Sequence, residues 1–272
     1  MTPAGIFPLP SQRPGGYWLN MAEFWPTVLQ AVQGWLEQPS SKVPKAAVPP
    51  PAAVGRDAEF IEAATRFLVE LEGCPPHPYW PGGTSGVTWG VGWDASEQTV
   101  AALHEDWAAL PSAARQRLLP TVGKDKKGPV AKALVVGLRD LTIPQPAAMT
   151  AFRNRLLPRY VTLTQRAFPG VDRLPVPVRI SLVSLVFNRG ASMGDAAAGQ
   201  DRRYEMRQIR QAVAVGDLPA IAREIRAMKR LWVGTDLAAG MTRRRDAEAV
   251  LVETGLGREG DWNRRAEDRP LV

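Results

Sequence analysis

Apolar positions recur at helical spacing over most of the chain and at a two-residue spacing in one short stretch. Near the start, Trp18, Met21, Trp25, Val28, Leu29, Val32 and Trp35 follow three- and four-residue steps, one face of an amphipathic helix. Pro26 falls inside this run and suits a first turn. Residues 38–54, QPSSKVPKAAVPPPAAV, lose the periodicity, and Pro-rich chain of this kind is an extended, semi-rigid spacer. A second helix is expected from an Asp57 cap to Glu72, burying Phe60, Ile61, Ala64, Phe67, Leu68 and Leu71. Gly73 follows at the position where helices turn off. Between residues 74 and 94, Val87, Trp89, Val91 and Trp93 alternate with small residues, which predicts a short β-hairpin. From Glu97 onward the pattern is helical. Breaks fall near 120–128, 142–146, 169–177, 190–199, 216–219 and 234–240. The tail beyond Gly255 has no clear period and is expected to fray. The fold class is α+β, mostly α, in four segments: an arm over 1–37, a linker over 38–56, a folded domain over 57–256 and a charged tail over 257–272.

Composition narrows the function. The 272 residues are 45% hydrophobic and 22% charged, which excludes wholesale disorder, collagen and a membrane-embedded bundle. No apolar run reaches the ~18 residues of a spanning helix, so no integral membrane segment is expected. Met1 to Pro14 lack the basic start and apolar core of a secretory signal, so the chain is expected to be synthesised in the cytoplasm. The single cysteine, Cys74, rules out an intrachain disulfide. A net charge of +7 suits a polyanionic partner, whether nucleic acid, membrane or cell wall, without choosing among them. The basic residues are spread along the helices rather than gathered in a nucleic-acid motif, so a nucleic-acid partner is not expected. Neither GxxxxGK[ST] nor GxGxxG occurs. His77, His104 and Cys74 form no CxxC or HExxH pattern, so neither a metal nor a cofactor is expected.

The stretch from Glu70 to Asp94, ELEGCPPHPYWPGGTSGVTWGVGWD, carries the candidate chemistry. Glu72 closes a helix, a glycine-rich hairpin follows at once with Thr88 inside it, and Asp94 stands at its exit. A helix end beside a hairpin lets Glu72, Thr88 and Asp94 face one another across a cleft. Glycoside hydrolysis uses a carboxyl pair: one group protonates the leaving oxygen, the other orients water or balances the oxocarbenium-like transition state. An acid must hold its proton near neutral pH, which burial among apolar groups promotes. Tyr79, Trp80, Trp89 and Trp93 are the expected walls, with faces that also stack on sugars. The Thr88 hydroxyl can hold the attacking water. The same residues have plainer roles open to them: Glu72 paired with an arginine, Thr88 in a strand, and Asp94 capping a helix that begins near Ala95.

The Glu-Gly pair, Tyr79 and the VTWGVG strand resemble the lysozymes of T-even phages and related endolysins. The match is closer to the lysozyme-like toxin domain of pesticin and its relatives, where a YWPGG-SGVTIGIGYD-type hairpin recurs. That group has a catalytic Glu, a Thr in the hairpin and an Asp six residues after the Thr, the spacing of Thr88 and Asp94 in this chain. The T-even enzymes instead place the Asp two residues after the tyrosine, where this chain has Pro81. Trp89 and Trp93 stand where the group more often has Ile and Tyr. SLVSLVFNRG (181–190) resembles the central helix of these lysozymes, and MKRLW (228–232) and GMTRRRDAEAVL (240–251) resemble helices of the second lobe. The resemblance runs from about residue 57 to 255. It implies a two-lobed lysozyme-like fold, a short β-hairpin lobe and a helical lobe, preceded by the N-terminal helix and the linker.

It also implies a muramidase that cleaves the β-1,4 bond between N-acetylmuramic acid and N-acetylglucosamine in peptidoglycan, acting in the periplasm as an endolysin or as a type VI-like antibacterial effector. Its partners would be glycan strands, and for an effector an immunity protein or a secretion component. Glu72 would be the acid, Asp94 the second carboxylate and Thr88 the water-positioning group. Of the run Arg243, Arg244 and Arg245, two are expected on a solvated face, pairing with Asp246 and Glu248, and Arg245 is the one expected to hold Glu72 or the glycan. Asn188 either meets a substrate N-acetyl group or caps its helix. Two further readings are a lytic transglycosylase, which runs on one Glu, and a non-catalytic wall-binding module, which needs no ionisable Glu72.

Overall fold

The computed structural model describes residues 52–194 and 201–267, with side chains over 58–194 and 201–256. The arm over 1–37 and most of the linker lie outside these residues. The compact unit that carries the hairpin begins at Ala52. It is mostly helical with one small antiparallel sheet.

The first helix, α1 (Ala52–Glu72), starts five residues upstream of the expected Asp57 cap, inside the stretch read as linker. Pro51 is the last proline before it, and the alanines that follow favour helix more than any other residue. Phe60, Ala64, Phe67 and Leu68 are buried, as their spacing predicts. The hairpin follows as β1 (Thr88–Trp89) and β2 (Trp93–Asp94), in register Thr88 to Asp94 and Trp89 to Trp93. Strands of two residues cannot stand alone. These are anchored by Trp89, Trp93 and Trp107, whose ring centroids lie 4.5 to 6.1 Å apart in the core. Gly90 makes the turn beneath Trp107 with φ of +58°, and a Cβ there would lie 2.6 Å from that ring.

Helices α2 (Val100–Asp106), α3 (Ser112–Leu118) and α4 (Pro129–Leu134) follow. Then α5 (Gln145–Ala151) passes through a π turn at Phe152–Leu156 into α6 (Leu157–Ala167). Pro158 stands just past the wide turn, and its missing N–H cannot serve an α-type bond there. Beyond this rod the core centres on α7 (Val176–Arg189), where every residue from Ile180 to Val186 is buried. Around it pack α8 (Tyr204–Val215), α9 (Leu218–Ala227) and α10 (Ala238–Glu267).

Past Gly255, where the sequence has no clear period, the backbone is helical as far as Glu267. Gly255 lies against α7, where an added Cβ would come within 2.7 Å of Val178 Cγ2. It permits close helix packing rather than ending the helix. Among the described residues no helix is long and apolar enough to cross a membrane.

Candidate active site

Glu72 is the last residue of α1, and Gly73 turns the chain away with φ of +73° and a bond to Val69 O at 2.8 Å. The chain then returns to the hairpin. Tyr79 and Thr88 exchange both backbone hydrogen bonds at 2.8 Å, and Thr88 pairs in turn with Asp94. Tyr79, Thr88 and Asp94 therefore form one row across three extended segments. Residues directly opposed in antiparallel pairing project from the same face. The sequence spacing of these three is thus realised as one row.

Each has a defined environment. Asp94 accepts from Gly86 N at 3.2 Å, Ser96 N at 2.9 Å and Ser96 Oγ at 2.7 Å. It also caps the 3-10 turn Ala95–Glu97, so the capping role is real. Thr88 is buried, and its hydroxyl donates to Gly86 O at 3.4 Å, a long and weak bond. Gly86 lies so close that a Cβ on it would sit 2.4 Å from Asp94 Oδ1 and 2.5 Å from Ser96 Cβ. Gly86→Ala is therefore expected to push the Asp94 carboxylate out of place. If the row is catalytic, the expected readout is a loss of about tenfold or more in wall-digesting activity, as displacement of a positioned group by about 1 Å can cost more than that, with a smaller change in melting temperature. Equal activity in the two proteins would show that the observed Asp94 position is not the working one.

Glu72 meets a guanidinium, the arginine pairing that its sequence leaves open. Arg244 Nη1 donates to Glu72 Oε1 at 2.6 Å. The Glu72 side chain is 22% exposed, so it stays open in part to solvent. Behind Arg244 lies a buried network. Arg244 also reaches Glu248 Oε1 at 3.2 Å and both Ser184 O and Oγ at 3.2 Å. Arg245 donates to the same Glu248 oxygen at 2.9 Å and to Asn188 Oδ1 at 3.2 Å, and Ser184 Oγ donates to Glu248 at 2.7 Å. Two cations thus face two carboxylates. Burial works against the Arg244 charge, but Glu72 and Glu248 outweigh it and raise its pKa. For Arg245 burial prevails, and its pKa is lowered despite Glu248.

The Tyr160 phenol on α6 feels charges from both this network and the hairpin. Burial raises its pKa most, and the negative charges of Glu72, Asp94 and Glu97 raise it further. Its ring stacks on Phe187 of α7 at 4.4 Å between centroids, and Phe187 lies under Gly92 of the hairpin turn. Glu72 and Asp94 thus both act on one phenol.

Several expected site residues are placed differently. Trp89 and Trp93 are at most 1% exposed, so neither offers a face to a sugar. Trp93 Nε1 instead donates to Asp106 at 2.9 Å, and Asp106 takes a bidentate pair from Arg159. Period-two spacing marks one face of a hairpin, but in this fold that face is the core. Arg245 does not hold Glu72: it is fully buried one position further around α10, and Arg244 takes that role. Only Arg243 of the run is exposed, and Asp246 pairs with Lys229 and Arg226 instead. Asn188 is exposed, tied by Arg245. Tyr79 and Trp80 remain partly exposed, with Trp80 Nε1 donating to Ser85 O at 3.1 Å and Lys132 Nζ over its ring at 5.7 Å.

Three residues join the site without having been singled out for it by the sequence: Arg244, Tyr160 and Glu248. Glu248 stands four residues from Arg244 and three from Arg245, a spacing that signals a helical ion pair. Tyr160 has no such signal, since it sits within an ordinary apolar stripe. No protein-family model matches the chain, and a comparison with curated proteins finds no match.

Proposed function

We propose that the protein is a peptidoglycan hydrolase of lysozyme-like fold, a muramidase with Glu72 as general acid. The observation that carries this reading is that Glu72, at a helix end, and Asp94, in the Tyr79–Thr88–Asp94 row, both raise the pKa of the one Tyr160 phenol. In this reading Glu72 Oε2 protonates the glycosidic oxygen while Arg244 fixes Oε1. Asp94, held by its three donors, balances the developing positive charge on the sugar. Thr88 exchanges its long bond to Gly86 O for one to the attacking water, whose proton passes to the Asp94 carboxylate as the water oxygen bonds to the anomeric carbon. Tyr79 and Trp80 supply aromatic surface for the glycan. The net charge of +7 draws the enzyme to an anionic wall, less strongly as salt rises.

One observation favours a lytic transglycosylase as the second reading. Both Asp94 oxygens are engaged by Gly86 and Ser96, and Thr88 is buried, whereas Glu72 stays partly open to solvent. A reaction run by one acid needs only the last of these. Mass spectrometry of wall fragments separates the two. Reducing muramic ends are expected from a hydrolase and anhydro-muramic ends from a transglycosylase. An intact protein that releases neither, yet co-sediments with the wall, would be a binding module.

We place this activity in the periplasm, as that of an endolysin or an antibacterial effector. For an effector, residues 1–51 would serve delivery and an immunity protein would cover the site. A chain starting at Ala52 is then expected to digest purified wall as fast as the full chain. Loss of digestion in a folded truncated chain would refute that division.

A further inference from the structure

The C-terminal end of α7 carries positive charge that no carboxylate among the described residues pairs directly. Arg189, the last residue of the helix, is half-buried, donates through Nη2 to Arg202 O, and has a buried Nε with no partner among the described residues. Arg203 folds back to donate Nη1 to Arg189 O at 2.6 Å, with Nη2 4.0 Å from the Cβ position of Gly190. Arg202, next to Arg203 in the chain, is exposed. The neighbouring acids among the described residues are engaged elsewhere. Glu205 is buried and held by two bonds from Arg230, and Asp201 is paired with Arg207. The Trp232 ring gives some compensation, with the Arg189 and Arg245 guanidinium carbons 5.3 and 5.7 Å from its centroid.

Three like charges at one helix end, two of them half-buried, repel one another. The effect is visible in Arg189, whose pKa is pushed down to about 10, first by burial and then by Arg203, Arg202 and Arg245, with Glu205 offsetting only part of it. Burial and Arg202 lower Arg203 in the same way. A bound anion would relieve this repulsion, and the planar forks of guanidinium groups match a pair of oxygens on one atom.

We propose that Arg189, Arg202 and Arg203 form an oxyanion-binding site at the end of α7, built to take a carboxylate or phosphate group. The two sources that offer this chemistry are an acidic peptide and free phosphate. The site adjoins Asn188, which Arg245 and Glu248 link through Arg244 to Glu72. Its existence does not depend on the glycosidase reading.

The test is calorimetric titration of the full chain with inorganic phosphate and, separately, with the dipeptide L-alanyl-D-glutamate, at low constant chloride. Saturable binding of one or both is expected. Arg189→Gln and Arg203→Gln should each weaken it about tenfold or more, the usual size of a lost charge-assisted bond. Arg202→Gln, which alters only an exposed side chain, keeps the test decisive where the other variants do not fold. Arg223→Gln, an exposed arginine paired with Glu224, should leave affinity unchanged. Tighter phosphate binding supports the site with phosphate as its source, and tighter dipeptide binding supports it with acidic peptide as its source. No saturable binding of either probe, or equal weakening by Arg223→Gln, overturns the proposal.

Discussion

Under the proposed muramidase mechanism, replacing Glu72 by glutamine will lower the rate of glycan cleavage by about a hundred- to ten-thousandfold, the usual contribution of a positioned general acid. Glutamine keeps the shape of the side chain, and its carbonyl can still accept the Arg244 bond seen at 2.6 Å. What it lacks is a proton to give to the leaving oxygen. The fold should therefore survive, and the loss should fall on turnover rather than on wall binding. Activity on purified wall, read beside the melting temperature and a sedimentation assay for binding, tests all three statements. A folded Glu72→Gln variant that cleaves at the original rate removes Glu72 from the chemistry, and with it the proposed mechanism.

The largest loss of stability is expected from Glu248→Ala. Glu248 accepts from Arg244, Arg245 and Ser184, and neither Arg245 nor the Glu248 side chain has any exposure to water. Removing the carboxylate strands the Arg245 charge in the core. Breaking a buried pair from one side costs about 3–5 kcal/mol. For a domain of this size that corresponds to a fall of roughly 6–20 °C in melting temperature. Glu62→Ala, which removes a carboxylate paired with the exposed Arg66 and the partly exposed Arg153, should stay within about 1 kcal/mol. Thermal unfolding of the two variants side by side makes the comparison. A Glu248→Ala protein as stable as its parent would mean that water reaches Arg245 in solution.

The legible parts of the site are those whose geometry is set within a few residues. Gly73 ends α1, Asp94 caps the next turn, and the Thr88 to Asp94 spacing closes into a direct cross-strand pair. Each depends on local backbone chemistry. The unreadable parts depend on packing between distant segments. Alternation showed that Trp89 and Trp93 share a face, but whether that face is cleft or core is decided by Trp107 and Asp106, which cover it. Among three consecutive arginines, each step turns about 100° around a helix. Which one points at Glu72 follows from how α10 lies against α7. At both ends of the folded unit, glycine and proline content was a poor guide to helix limits. Alanines extended α1 upstream, and close packing on Val178 carried α10 through Gly255.

The bond between Glu72 and Arg244 spans 172 residues of sequence. Synthesis proceeds from the N-terminus, and α10, which supplies Arg244, is the last helix of the unit to leave the ribosome. Until it does, Glu72 lacks its partner, and α7, α8 and α9 lack the helix that completes their core. A nascent or prematurely ended chain thus carries the hairpin row without the buried counter-charge that holds the acid. The order of translation alone keeps the site incomplete until α10 has emerged.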